Sequence, residues 1–179
     1  MNARGTGLAV LVLALAALLA PAPGSAQALN AAWDGDWITA QASQQRPSQV
    51  LRVARQGAQT RLEQAGQACP LVYDGMVTAR DIQQQVDDLR AWQLSPAHWP
   101  AGTDPKQLVG LAGEFDAATR LIASLSAGRY RRARLRGEGC DDADDVFFVL
   151  HQGRRLFRVR FPSASLGMDV LVLERRSPP

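Results

Sequence analysis

The order of secondary structure along the chain is the feature that most constrains its fold. Two amphipathic helical segments follow one another in the middle of the sequence, and segments with strand periodicity lie on both sides of them. The connections between the later strands are too short for a parallel crossover, so these strands are expected to form an antiparallel meander. Strands followed by helices and then by strands predict an α+β fold.

Alternating apolar and polar residues define the predicted strands. In the N-terminal part they cover residues 37–41, 49–55 and 58–64, and a shorter extended piece covers 70–73 before a turn at Asp74-Gly75. In the C-terminal part they cover residues 130–136, 146–151, 156–161 and 168–175. Tight turns at Gln56-Gly57 and Gln152-Gly153 join neighbouring strands. We therefore expect about seven short strands, in an N-terminal three-stranded part and a C-terminal four-stranded meander.

Two consecutive helices are predicted between these parts. Thr78 is a candidate N-cap for a helix that runs to about Leu94, with Asp81 beside the positive helix end. The second helix begins after Asp104, with Pro105 in its first turn. Its apolar residues recur at helical spacing: Leu108, Leu111, Ala112, Phe115, Ala118, Ile122 and Leu125. We expect the helices to cover one face of an antiparallel sheet; the alternative is a β-barrel-like fold with two helices, because about seven strands can close on themselves.

The first 28 residues have the pattern of a secretory signal peptide. Arg4 precedes a run of Leu, Ala and Val over residues 8–20, and Ala26-Gln27-Ala28 supplies the small side chains that signal peptidase requires. The apolar run is shorter than the roughly 20 residues of a membrane span, and no later segment is long enough for one. We therefore predict a periplasmic or secreted, soluble protein with one α+β domain over residues 29–176 and a frayed tail at 177–179.

Two cysteines are present, and the predicted compartment determines how they are interpreted. The first, Cys69, lies far beyond the predicted cleavage site, so lipid attachment at that site is excluded and the protein is not expected to be a lipoprotein. Thiols of exported proteins are oxidised, which predicts a disulfide between Cys69 and Cys140. His98 and His151 are the only histidines, and neither lies at ligand spacing from a cysteine, so no metal site or cofactor is predicted.

Arginines at strand spacing form the candidate binding site. One predicted strand carries Arg132, Arg134 and Arg136 on one face, and another carries Arg158 and Arg160 on one face. If the two faces coincide, the five guanidinium groups form a basic stripe that can bind phosphate or carboxylate groups. The alternative is a solvated sheet face that nearby acidic side chains neutralise: Glu138, Asp141, Asp142, Asp144 and Asp145.

A short motif near the start of the predicted domain adds a resemblance. Gly35-x-Trp37, at the start of the first predicted strand, is similar to the motif at the opening of lipocalin-type barrels. The resemblance implies a barrel with a ligand pocket. The chain departs from that family's pattern because two helices divide its predicted strands. The four tryptophans can stack on a sugar or line an apolar ligand pocket, or they can be core or lid residues: Trp33, Trp37, Trp92 and Trp99.

These observations favour an exported, non-catalytic envelope protein that binds an anionic envelope ligand through an arginine-rich sheet face. Arginine predominates over lysine, which indicates a GC-rich bacterial genome, and the expected ligands are an anionic lipid or glycan. Nucleic acid is not expected, because no recognition motif occurs. The sequence also lacks the Gly-x-Ser-x-Gly and phosphate-loop motifs of enzymes. Two alternatives stay open: a periplasmic hydrolase that uses Asp or Glu, and a structural partner in an envelope protein assembly.

Overall fold

The fold is described here from a computed structural model, which describes residues 29–137, 140, 145–162 and 166–176. The predicted signal peptide at 1–28 and the predicted tail at 177–179 lie outside these ranges. Four of the predicted neutralising acids, at positions 138, 141, 142 and 144, also lie outside them.

Within these ranges, eight antiparallel strands close into a barrel in the order in which they occur along the chain. They are β1 (Gly35–Ala42), β2 (Val50–Gln56), β3 (Gln59–Gln64), β4 (Gln67–Thr78), β5 (Arg129–Leu135), β6 (Asp145–His151), β7 (Arg155–Phe161) and β8 (Asp169–Arg175). The last strand pairs with the first, with Trp37 opposite Arg175, and this pairing closes the barrel. The expected open sheet is not confirmed, whereas the barrel with two helices is the architecture that the structure has.

The helices form a long connection between two neighbouring strands. The predicted short piece at 70–73 is part of the 12-residue strand β4, which pairs with β5 from Leu71 opposite Leu135 to Thr78 opposite Arg129. Because the chain leaves β4 and returns to the adjacent position as β5, the helices do not interrupt the meander. The closed barrel therefore agrees with the architecture that the Gly35-x-Trp37 resemblance implies.

Both helices begin where their capping residues predict. Helix α1 (Ala79–Gln93) starts after Thr78, whose hydroxyl accepts a hydrogen bond from the Asp81 backbone N–H at 3.1 Å. The Asp81 carboxylate in turn accepts from the Thr78 backbone N–H at 2.8 Å, which completes a capping box. Helix α2 (Pro105–Ile122) starts after Asp104, whose carboxylate accepts from the Lys106 backbone N–H at 2.9 Å. Both N-cap predictions are confirmed.

Two hydrophobic clusters lie on the two sides of the barrel wall. One contains a buried residue from every strand and is therefore the barrel interior: Trp37, Leu51, Leu62, Leu71, Ala133, Phe148, Leu156 and Leu171. The other joins the two helices to the outer side of β6, β7 and β8: Ile82, Val86, Phe115, Ile122, Phe147, Val149, Phe157, Val159, Val170 and Val172 are among its residues. Because β6–β8 are buried on both sides, their sequences are nearly continuous apolar runs.

A disulfide joins Cys69 in β4 to Cys140, which lies between β5 and β6, with 5.6 Å between the two Cα atoms. The predicted pairing is confirmed. The closed loop contains both helices. The bridge itself lies where β4 begins and β5 ends, whereas the helical connection leaves and rejoins the barrel at the other end of this strand pair, at Thr78 and Arg129. Neither α1 nor α2, and no other helix in the described ranges, has the length and apolar character needed to cross a bilayer.

Candidate functional site

The five arginines of the predicted stripe do not share a face of the barrel wall. Arg132 pairs with Val149, which belongs to the cluster on the outer side, so Arg132 and Arg134 project outward. Arg158 pairs with Phe148 of the interior cluster, so Arg158 and Arg160 belong to the inner face. Arg136 is exposed beyond the end of β5. The condition under which the five guanidinium groups would form one stripe is therefore not met.

The two outward arginines are engaged by carboxylates. The Arg132 guanidinium lies 2.9 Å from the Asp74 carboxylate and 5.6 Å from the centre of the Phe147 ring. Arg134 lies 2.5 Å from Asp74 and 2.6 Å from Asp145. Among the described residues, this patch matches the alternative of a neutralised sheet face, because each guanidinium contacts at least one carboxylate.

The inward Arg158 forms a buried ion pair at the end of the barrel where β8 begins. Its guanidinium lies 3.3 Å from the carboxylate of Asp169, which is 3% exposed, and Arg46 approaches the same carboxylate oxygen at 3.6 Å. Breaking a buried pair of this kind is costly, because the remaining charge stays in a poorly solvated place. This pair therefore contributes to the barrel interior, and an external anion would have to displace Asp169 to reach Arg158.

A second group of arginines lies at the opposite end of the barrel, where β4, β6 and β8 end and β5 and β7 begin. We call this group the basic end, and it consists of Arg80, Arg129, Arg154, Arg155, Arg175 and Arg176. Strand pairing brings its members together. Arg129 lies opposite Thr78, the cap of α1, and the Arg175 backbone N–H donates to the Arg154 carbonyl at 3.4 Å.

Two members of the basic end have partners within the barrel. Arg155 lies 3.3 Å from the Glu174 carboxylate. The Arg175 guanidinium stacks on the Trp37 ring at 4.8 Å and donates to the Ala32 carbonyl. Gly35 has φ +142°, a backbone conformation that residues with a Cβ atom rarely adopt, which gives a physical reason for glycine in the Gly35-x-Trp37 motif.

The remaining members are available to a ligand. Four of the six are exposed and form no ion pair with any residue that the structure describes: Arg80, Arg129, Arg154 and Arg176. The Asp81 carboxylate is nearby, but it is occupied by the capping box, and its hydrogen bonds from Thr78 hold its pKa below the ordinary value. Asp36, at the adjacent start of β1, lies 3.8 Å from Arg52. The described part of this end therefore carries an excess of exposed positive charge.

Two surface grooves open between these arginines. One, of about 590 Å³, is lined by Thr78, Ala79, Arg80, Ala127, Gly128 and Arg129. The other, of about 500 Å³, is lined by Gly153, Arg154, Arg155, Glu174 and Arg175. Guanidinium groups form paired hydrogen bonds with phosphate and carboxylate oxygens, so each groove can accept an anionic group.

His151 lies beside the basic end and is buried and hydrogen-bonded. Its side chain is 6% exposed, its Nε2 atom lies 3.0 Å from the Ser126 hydroxyl, and that hydroxyl lies 3.0 Å from the Tyr130 hydroxyl. Burial, together with the charge of Arg155, lowers the pKa of His151. A serine–histidine pair is the start of a catalytic triad, but no described carboxylate bonds to the second ring nitrogen.

The basic end was not predicted from the sequence, because its members come from separate strand ends. The doublets Arg154-Arg155 and Arg175-Arg176, each at a strand boundary, were the available signal. Within the described ranges, no group of three or more His, Cys, Asp or Glu side chains is placed to hold a metal ion. Comparisons of the chain with protein-family models, curated proteins and solved structures found no match.

Proposed function

We propose that this protein is an exported, non-catalytic envelope protein and that the basic end of its barrel binds an anionic envelope ligand. One observation carries the proposal. Strand pairing collects four exposed arginines, none of them in an ion pair with a described residue, at one end of the barrel.

The basic end is a better candidate than either part of the predicted stripe. An anion at Arg132 or Arg134 must compete with carboxylates that lie within 3 Å of the guanidinium groups. An anion at Arg158 must enter the barrel and displace the buried Asp169. At the basic end no described carboxylate forms an ion pair with Arg80, Arg129, Arg154 or Arg176, although the charge of Asp81 acts on Arg80 and Arg129, so an anion there displaces no ion pair of these four side chains.

Export is supported by the predicted signal peptide and by the disulfide, since disulfides persist in oxidising compartments such as the periplasm. The hydrolase alternative has no comparable support. The described carboxylates of Asp74, Asp145 and Asp169 contact arginines instead of facing one another across a groove.

The proposal is tested by chromatography on a column of immobilised heparin, an acidic glycan. The double variant Arg154→Gln/Arg176→Gln removes two exposed charges from the basic end. The matched control, Lys106→Gln/Arg136→Gln, removes two exposed charges from the other end of the barrel. Arg136 follows the end of β5, which Arg129 begins, and Lys106 lies in the first turn of α2, whereas Ser126, which follows α2, contacts His151 beside the basic end. We expect the first variant to elute at lower salt than the wild type and the control to elute with it. Equal shifts in the two variants would mean that net charge, and not the basic end, determines binding.

A further inference from the structure

The arginines of the basic end are spread too widely to contact a single small anion. Neighbouring strands are about 4.8 Å apart, and the group extends over four interstrand steps from β4 to β8, or about 19 Å measured along the curved barrel wall. A phosphate or carboxylate group accepts hydrogen bonds only from guanidinium groups about 3 Å away. The arrangement therefore suits a ligand that presents several anionic groups side by side.

The positions of the arginines also indicate the shape of that ligand. Arg154 lies in the turn between β6 and β7, Arg176 follows the end of β8, Arg129 begins β5, and Arg80 lies in the first turn of α1. These positions form an arc around the end of a closed barrel. An arc at the end of a cylinder presents its charges to a plane, whereas an extended glycan chain is best held along a linear groove.

We propose that the basic end docks the barrel end-on onto a bilayer surface that contains anionic lipid headgroups. This inference rests on the function proposed above and specifies the ligand of the same surface.

The apolar residues of the surface indicate how deep the contact goes. The turns Gln56-Gly57-Ala58 and Gln152-Gly153-Arg154, which lie at this end, carry no large apolar side chain. Among the described residues, one exposed large apolar side chain lies near this end, that of Met76 in β4, two residues before Thr78. The others lie towards the other end of the barrel: Val50 begins β2, Trp92 is near the end of α1, Val109 is near the start of α2, and Leu166 precedes β8. Binding is therefore expected to be electrostatic, peripheral and reversible by salt.

A basic residue near an anionic membrane surface contributes about fivefold to the binding constant. Loss of two such residues is therefore expected to weaken binding about 30-fold. The experiment uses the protein exported by a bacterial host from the full-length gene and sedimented with vesicles at low ionic strength. One vesicle preparation contains phosphatidylcholine with phosphatidylglycerol, and the other contains phosphatidylcholine alone.

We expect the wild type to sediment with the vesicles that contain phosphatidylglycerol and to be released from them by salt. Arg154→Gln/Arg176→Gln should bind about 30-fold more weakly, whereas Lys106→Gln/Arg136→Gln should bind like the wild type. Equal binding to both vesicle preparations, or an equal loss in the two variants, overturns the lipid proposal.

The heparin column separates this failure from failure of the proposed function. Retention on heparin through the basic end, without binding to vesicles, would leave the anion-binding function in place and assign it to a glycan. If the wild type bound neither heparin nor the vesicles, the proposed anion-binding function would be rejected as well. Matching thermal unfolding curves for the two variants establish that both are folded.

Discussion

Two glycines on the outer side of α2 provide a quantitative test of the structure. Gly110 and Gly113 lie inside the helix and are exposed, and a Cβ atom added at either position would meet no atom within 4 Å. Glycine in a helix interior is about 1 kcal/mol less favourable than alanine, because the unfolded chain loses more freedom when it folds. With open space at both sites, Gly110→Ala/Gly113→Ala should stabilise the protein by about 2 kcal/mol.

For a domain of this size, 1 kcal/mol corresponds to a change of about 2–4 °C in the melting temperature, so the expected increase is about 4–8 °C. The control is Gly66→Ala, where a Cβ atom also meets nothing within 4 Å but the backbone has φ +84°. An alanine in this left-handed conformation costs about 1–2 kcal/mol, so the same substitution should here be destabilising. Thermal and urea denaturation under oxidising conditions measure both effects. A double variant no more stable than the wild type would refute the placement of these glycines on an open helix face.

Three further results are expected. Cys140→Ser should lower the free energy of unfolding by up to about 4 kcal/mol, because the bridge closes a long loop, and the wild type unfolded in urea with a reducing agent should match the variant. Asp169→Asn should cost about 3 kcal/mol, since it removes a buried carboxylate that lies 3.3 Å from the buried Arg158 guanidinium. Asp116→Asn, which removes the exposed ion pair with Arg90, should cost less than about 1 kcal/mol, and equal losses in urea denaturation would contradict the burial of the first pair. The pKa of His151 is lower in the folded protein than the ordinary 6.5, so the unfolded chain binds more protons, and the free energy of unfolding should fall as the pH falls below about 6.5. His151→Gln should make the free energy of unfolding less dependent on pH, which denaturation curves recorded across that range would show.

Local signals in the sequence were sufficient for the helices but not for the barrel. Thr78 and Asp104 act on backbone groups within three residues, so the sequence alone locates both helix starts. Only residues 70–73 of β4 were predicted, because Pro70 and the Asp74-Gly75 pair suggest breaks on either side. In the structure, the pairing with β5 continues past an irregularity between Tyr73 and Met76. Closure of the barrel depends on the pairing of β1 with β8, and no local sequence pattern predicts a contact between segments so far apart in the chain.

The same limit explains the outcome for the arginines. The alternation of side chains along a strand places Arg132 and Arg134 on one face of β5, and Arg158 and Arg160 on one face of β7. The structure has the same arrangement within each strand. Whether two pairs on different strands share a face depends on register, and a shift of one residue reverses the answer. Here Val149 lies opposite both Arg132 and Phe157, which puts Arg158 on the other side of the wall. The basic end depends in addition on which strand ends meet, and that follows only from the closed topology.

The helical connection between β4 and β5 has a consequence for the order of folding. Helices form from local contacts within microseconds, and the hairpins of β2–β3 and β6–β7–β8 also join residues that are close in the chain. Phe147, Phe157 and Val170 need the helices to cover them, so the helices and the last three strands are expected to assemble as one early unit. The β1–β8 pairing joins the most distant segments and should form last. Arg175 and Arg176 lie at that seam, so the basic end would be complete only in chains whose barrel has closed.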